Sequence, residues 1–160
     1  MNLQDKFVRG QLELTKPIAD SAGLELSRSF QNKIGKLMHF TRRRDVVISD
    51  KRYQEIPGSL VIPHTEKRSG IILYLHGGGY TCGSLDYARG VSSILSAESG
   101  MRVFCHEYRL APENPYPAAL DDALWAYKQL LTHGYEPSEI ILAGESAGGG
   151  LVYALCLKRW

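Results

Sequence analysis

Near its carboxyl end the chain reads Gly144-Glu145-Ser146-Ala147-Gly148, and its flanks restrict what that pentapeptide can be. Ile140-Ile141-Leu142-Ala143 before it reads as a short, fully apolar, buried strand, and the run from Leu151 to Leu157 after it continues as an apolar helix. A Gly-x-Ser-x-Gly between strand and helix is a nucleophile elbow. The turn forces Ser146 into a strained backbone conformation, and side chains at Gly144 or Gly148 would collide with the neighbouring strand and helix. The serine hydroxyl then projects above the carboxyl end of a sheet, with a helix N-terminus beneath it. A glycine-rich turn holding a serine by accident would not predict this strand and helix, nor the second motif upstream.

That motif is His76-Gly77-Gly78-Gly79-Tyr80, placed directly after the continuous apolar run Ile71-Ile72-Leu73-Tyr74-Leu75. Such a run is expected of a central strand covered on both faces. Attack by a serine on an acyl carbonyl builds negative charge on its oxygen, and preorganised backbone N–H groups must meet that charge. Glycines let the backbone approach without a side chain in the way. The expected donors are the N–H groups of Gly78, Gly79 and Ala147, the last being the residue after the nucleophile. His76 and Gly77 are read as supporting the loop, with His76 a structural hydrogen-bonder rather than the catalytic base. A phosphate-cradling loop is the competing reading, but both the Gly-x-x-x-x-Gly-Lys and the Gly-x-Gly-x-x-Gly fingerprints are missing.

The rest of the chain alternates between helical and strand patterns. Leu26, Phe30, Ile34 and Leu37 or Met38 recur every three to four residues as one apolar stripe along a helix, and Leu3, Phe7 and Leu14 suggest a weaker one before Pro17. These stripes either pack on the body of the fold or form a lid over an apolar pocket. From Asp45 the period changes: Val46–Ile48 and Ile56–Ile62 are β-rich, with a bend expected at Pro57-Gly58 and a stop at Pro63. His64 to Gly70 reads as a polar loop. A helix within Leu85–Ser99, capped by Gly100, a strand over Met101–Cys105 and a helix from about Ala118 to Leu131 follow. Asp121 and Asp122 sit near the positive end of that last helix, behind Pro115 and Pro117. Strand–helix alternation of this kind predicts a doubly wound parallel sheet.

Charge and cysteine content narrow the function classes. A net charge of +2 over 160 residues implies no global attraction to nucleic acid or anionic membrane. Eleven Lys/Arg against six Asp/Glu fall in residues 1–52, but the basic run Arg42-Arg43-Arg44 has no aromatic stacking platform and reads as solvated surface. A nucleic-acid or interaction module built on that region is therefore set aside. Cys82, Cys105 and Cys156 form no C-x-x-C and read as reduced core residues, not disulfides or metal ligands. Met1 to Lys6 lack the apolar stretch of a signal peptide and nothing reaches membrane-spanning length, so a soluble, cytoplasmic protein is expected, with no membrane insertion.

Three blocks carry a family resemblance: His76-Gly77-Gly78-Gly79, Tyr108-Arg109-Leu110-Ala111-Pro112-Glu113, and Gly144-Glu145-Ser146-Ala147-Gly148-Gly149. From about Ile56 onward the chain resembles the bacterial hormone-sensitive-lipase-like (type IV) esterases. The resemblance implies an α/β-hydrolase fold, with a doubly wound, mostly parallel sheet and a helical N-terminal lid. Residues 1–44 would be the lid and residues 45–160 the N-terminal part of the catalytic domain. It also implies hydrolysis of short acyl esters with no cofactor and no metal, Ser146 as nucleophile, and Gly78, Gly79 and Ala147 as the oxyanion hole. The family's commonest pattern has aspartate where this chain has Glu107 and Glu145. Both changes keep the charge and leave the reaction class intact. Within the middle block, Arg109 is expected to pair with Glu113 and shape the loop beside the site.

One element is missing from the pattern. In this fold the triad runs serine, then Asp or Glu, then His. No Asp, Glu or His follows Ser146, and His39, His64, His76, His106 and His133 all precede it. The 160 residues are thus expected to be the N-terminal half of a hydrolase. The triad Asp and His would lie in a C-terminal half, present in the same chain, in a separate chain, or replaced by a self-associated copy. An amide hydrolase acting on an arylformamide, or a non-catalytic ligand-binding relative, are the alternatives on the same fold.

Overall fold

The computed structural model describes residues 23–53 and 56–157. The expected stripe at Leu3, Phe7 and Leu14 lies outside them. In chain order the elements are α1 (Leu24–Arg42), β1 (Val46–Tyr53), β2 (Ile56–Pro63), β3 (Ile71–Leu75), α2 (Leu85–Ser99), β4 (Arg102–His106), α3 (Ala118–Thr132), a 3-10 turn (Pro137–Glu139), β5 (Ile140–Gly144) and α4 (Ala147–Leu157).

The five strands form one sheet in the order β1-β2-β4-β3-β5. β3 runs parallel to β4 and to β5, whereas β1–β2 and β2–β4 are antiparallel, so the sheet is mixed. The difference from an all-parallel sheet follows from the connections. Helices cross over between the parallel strands, but only two residues separate β1 from β2, too few for a crossover. Pro57 and Gly58, expected at a bend, instead sit inside β2. Pro57 gives its carbonyl to the Glu107 N–H at 2.9 Å, and a side chain at Gly58 would press on the Phe104 ring.

Each face of the sheet buries its own core. β3 is buried along its whole length, as expected of a central strand, and its pleat splits the side chains. Ile71, Leu73 and Leu75 join Ala123, Ala126 and Leu130 of α3 and Leu151 and Leu155 of α4 on one face. Ile72 and Tyr74 join Val61, Val103, Cys105 and Ala88 of α2 on the other. Helices on both faces make the fold doubly wound. β5 departs from expectation. It is apolar, but Ile141 is 51% exposed, because among the described residues no strand pairs with its outer side.

Local chemistry accounts for the helix ends. Ser84 caps α2 by accepting from the Tyr87 N–H at 3.3 Å, and Gly100 closes it in the left-handed region at φ 68° with its N–H on Ser96 O. α1 crosses α2 without the expected apolar stripe. Leu26, Phe30 and Leu37 are each about two-thirds exposed, and Ile34 and Met38 are only half-buried. Buried Gly35 and Gly90 make the crossing instead. A Cβ on Gly35 would lie 2.4 Å from Tyr87 Cα, and one on Gly90 would lie 2.3 Å from Gly35 O. The backbones meet there because neither residue has a side chain to hold them apart. Cys105 and Cys82 are buried, but Cys156 is exposed on α4, so only two of the three cysteines are core residues. No described helix is long and apolar enough to cross a membrane.

Candidate active site

β5 ends at Gly144 and α4 starts at Ala147, which leaves Ser146 on the turn between them. Its φ is 51°, one of only two positive values among described non-glycine residues. A conformation of that kind costs of order 1–3 kcal/mol and persists only where its surroundings enforce it. The enforcement is steric. A Cβ on Gly148 would stand 1.9 Å from Leu75 O, and one on Gly144 would stand 2.6 Å from the Gly148 carbonyl. Both glycines therefore let α4 start hard against the end of β3. Gly148 N–H closes the turn on Glu145 O at 2.9 Å.

The glycine loop leaves the carboxyl end of β3 beside this elbow. Gly78, Gly79 and Tyr80 have φ of 128°, 61° and 62°, so the loop makes three successive left-handed steps. Gly78 O accepts from Thr81 N–H at 3.1 Å and Cys82 N–H at 2.8 Å, and a Cβ on Gly78 would lie 2.3 Å from Cys82 O. Gly77 N–H is taken by the Glu145 carboxylate at 2.6 Å. Among the described residues, the N–H groups of Gly78, Gly79 and Ala147 donate to no backbone carbonyl. The loop and the elbow thus adjoin, joined by the Gly77–Glu145 contact.

His76 supports the loop from beneath. It is fully buried, with Nδ1 2.8 Å from Gly77 O, and its ring stacks on Tyr108 at a centroid distance of 4.1 Å. Tyr108 in turn donates its hydroxyl to His76 O at 2.6 Å. Burial lowers the His76 pKa, against the opposing pull of the Gly77 carbonyl and the Glu145 charge, which favours the neutral ring. Gly83, at φ 112°, leaves the space this ring fills, since a Cβ there would come within 2.1 Å of it.

Sequence reasoning missed several participants. Tyr74 donates its hydroxyl to Glu145 Oε2 at 2.5 Å, and burial followed by that bond drives the phenol pKa far up. A lone phenol in an otherwise aliphatic central strand was the available signal. The expected Arg109–Glu113 pair does not form. Arg109 grips Asp122 with Nε at 3.0 Å and Nη2 at 2.7 Å, while its backbone N–H also donates to Asp122 at 2.8 Å. Asp122 is on the buried side of α3, and a desolvated carboxylate takes the nearest fork of donors. Glu113 faces outward and pairs with Arg28 of α1 instead.

The five histidines fall in different parts of the fold. His39 bonds Ser93 on the α1–α2 seam at 3.0 Å. His64 follows β2, and His133 follows α3, both toward the amino ends of the parallel strands. His76 and His106 are buried, and burial drops the His106 pKa to about 3. A cavity of about 430 Å³ opens beside Gly79 and Gly150, walled by Tyr80, Tyr116, Leu120 and Leu151. No group of three or more His, Cys, Asp or Glu suited to a metal occurs among the described residues.

An alternating β/α sheet with a strained serine at a strand–helix turn, beside a glycine loop, defines a class of hydrolase folds. Residues 72–159 match the alpha/beta hydrolase fold family, and the chain belongs to it. The putative acetyl-hydrolase LipR of Mycobacterium tuberculosis is 33% identical over 98% of this chain and 51% of its own length. The crystal structure of EstE5 soaked with p-nitrophenyl butyrate superposes with a TM-score of 0.76 at 32% identity, over 91% of this chain and 51% of that one. An esterase of the bacterial hormone-sensitive lipase family superposes with a TM-score of 0.65 at 33% identity, over 82% of this chain and 50% of that one. The chain thus spans about half the length of these relatives.

Proposed function

We propose that the chain carries the nucleophile and oxyanion hole of a serine carboxylic-ester hydrolase acting on short-chain acyl esters. The observation that supports this best is Ser146 at φ 51° on the β5–α4 turn, against a loop with unspent N–H donors. Ser146 Oγ would attack the ester carbonyl, and the resulting oxyanion would meet the N–H groups of Gly78, Gly79 and Ala147. Collapse would expel the alcohol and leave an acyl-enzyme, which water then hydrolyses to the acid. The general base and its orienting carboxylate would come from polypeptide outside residues 1–160. The names of the relatives agree with this chemistry: LipR is called an acetyl-hydrolase and EstE5 was soaked with a butyrate ester. The apolar cavity beside Gly79 suits a small acyl group. We read residues 1–44 as the lid segment and residues 45–160 as part of the catalytic domain.

A fluorophosphonate probe tests the assignment. In the full-length protein it should label Ser146 and no other serine. Ser146→Ala should abolish labelling and lower turnover of a short aryl ester by several orders of magnitude. Turnover that survives this substitution overturns the reading.

A further inference from the structure

Helix α1 reaches the glycine loop mainly through one side chain. Arg28 Nε donates to Thr81 O at 2.8 Å, and its two terminal nitrogens form a fork on the Glu113 carboxylate, each at 2.8 Å. Nη2 also reaches Ala111 O at 3.2 Å. Thr81 belongs to the loop that bears Gly78 and Gly79, while Ala111 and Glu113 belong to the loop after β4. Those loops meet directly as well, through Ala111 N–H on Tyr80 O at 2.8 Å. One turn along α1, Gln31 Oε1 is buried so close to Gly78 that a Cβ there would lie 3.1 Å from it.

The glycine loop needs an external tie. Three consecutive positive-φ steps, two of them at glycine, leave a backbone that loses much freedom when fixed. Donors stabilise an oxyanion only if they are already in place when charge develops. An exposed ion pair contributes little to global stability, so the Arg28–Glu113 pair is a weak explanation of the fold. Its geometry explains more. A planar guanidinium serves two carbonyls and a carboxylate at once, which a lysine ammonium at this site would not reproduce.

We propose that Arg28 is a positioning residue for the candidate oxyanion hole, pinning the glycine loop to α1 and to the loop after β4. The inference rests on the esterase reading of Ser146. Arg28 touches no reacting atom. It holds Thr81 and Glu113, and through Thr81 it limits the excursions of Gly78 and Gly79.

The test compares R28A, R28K and E113Q with the wild type in the full-length protein, using p-nitrophenyl butyrate kinetics and hydrogen exchange. In R28A, kcat should fall about tenfold to a hundredfold with KM changed by less than about twofold, the scale expected of misplaced catalytic geometry. Amides of residues 77–82 should exchange at least about tenfold faster, with those of β3 unchanged. R28K should recover part of kcat, and E113Q, which keeps both carbonyl contacts, should lose less than R28A. Unchanged kcat in R28A, full recovery in R28K, or exchange at 77–82 that rises only in step with β3 overturns the proposal. Should R28A fail to fold, R28K and E113Q decide by the same two measurements. A wild type without Ser146-dependent turnover removes the esterase reading alone, and the exchange pattern still judges the pin.

Discussion

The Glu145 carboxylate accepts a hydrogen bond from the Gly77 N–H at 2.6 Å, although the two residues lie on different segments, the elbow and the glycine loop. Its other oxygen takes the Tyr74 hydroxyl at 2.5 Å. One side chain next to Ser146 therefore joins the elbow, the central strand and the glycine loop. Removing it should cost about 1.5–3 kcal/mol, the range for hydrogen bonds to a charged group, and Tyr74→Phe about 1 kcal/mol. The double variant should lose less than the two costs added together, because both remove one shared bond. Urea unfolding of E145A, Y74F and the pair measures this, and simple additivity would mean the contacts are independent.

The glycines of the elbow should respond to substitution in opposite ways. Gly148→Ala sets a Cβ 1.9 Å from the Leu75 carbonyl, a backbone atom at the end of β3 that is paired with β5 and cannot swing aside as a side chain could. Gly149→Ala meets nothing nearer than 3.4 Å, on a helix where alanine is favoured over glycine by roughly 0.5–1 kcal/mol. Thermal melts should therefore show G148A failing to fold or melting far lower, with G149A unchanged or slightly more stable. Equal effects at the two sites would contradict the steric account of Ser146's backbone.

Much of this was legible in the sequence where local pattern and tertiary demand coincide. The apolar run Ile71–Leu75 could only be a strand covered on both faces, and Gly-x-Ser-x-Gly after a strand placed Ser146 on its turn. Ser84 and Gly100 marked α2 because caps act through immediate neighbours. What escaped depends on distance through space. The sequence pointed Arg109 to Glu113, four residues on, whereas Asp122, thirteen residues away and buried by the packing of α3, is the partner it takes. The stripe on α1 misled because Gly35 and Gly90 bring the helix backbones together, and a contact made by missing side chains has no apolar signature.

Acid should weaken the fold through buried imidazole. His106 is fully buried, and desolvation lowers its pKa to about 3, helped by neighbouring His76 and opposed by Asp122. The folded pKa lies below that of the unfolded chain, about 6.5, so the unfolded state binds more protons between these values. The stability is complete above pH 6.5 and is lost as pH falls toward 3, by up to about 1.4 kcal/mol per pH unit for one proton. Glu113, held down to about 2 by the Arg28 guanidinium, titrates below its ordinary value of 4.5 and so below pH 5. Urea midpoints measured from pH 7 to 5 isolate the histidine effect. A flat profile there would show that neither His106 nor His76, whose pKa burial also lowers, differs in protonation between the folded and unfolded states.

The polypeptide of residues 1–160, taken alone, should neither hydrolyse esters nor remain monomeric. Catalysis requires a base to take the Ser146 proton and a carboxylate to orient that base. Of the described histidines, His76 and His106 are buried with lowered pKa, and His39 is engaged with Ser93. The oxyanion donors proposed for this site would by themselves leave a feeble residual rate. The same polypeptide presents the outer side of β5, with Ile141 51% exposed, and α4 with Tyr153 68% and Leu157 64% exposed. An unpaired strand edge next to exposed apolar side chains promotes association. Purified 1–160, checked by mass for any second chain, should elute from size exclusion as aggregate or oligomer and show no Ser146-dependent turnover of a short aryl ester. Adding a polypeptide that supplies the Asp and His and pairs with β5 should restore both solubility and labelling of Ser146. A monodisperse monomer with Ser146-dependent, enzyme-like turnover would place the base within residues 1–160 and refute the division of the triad argued above.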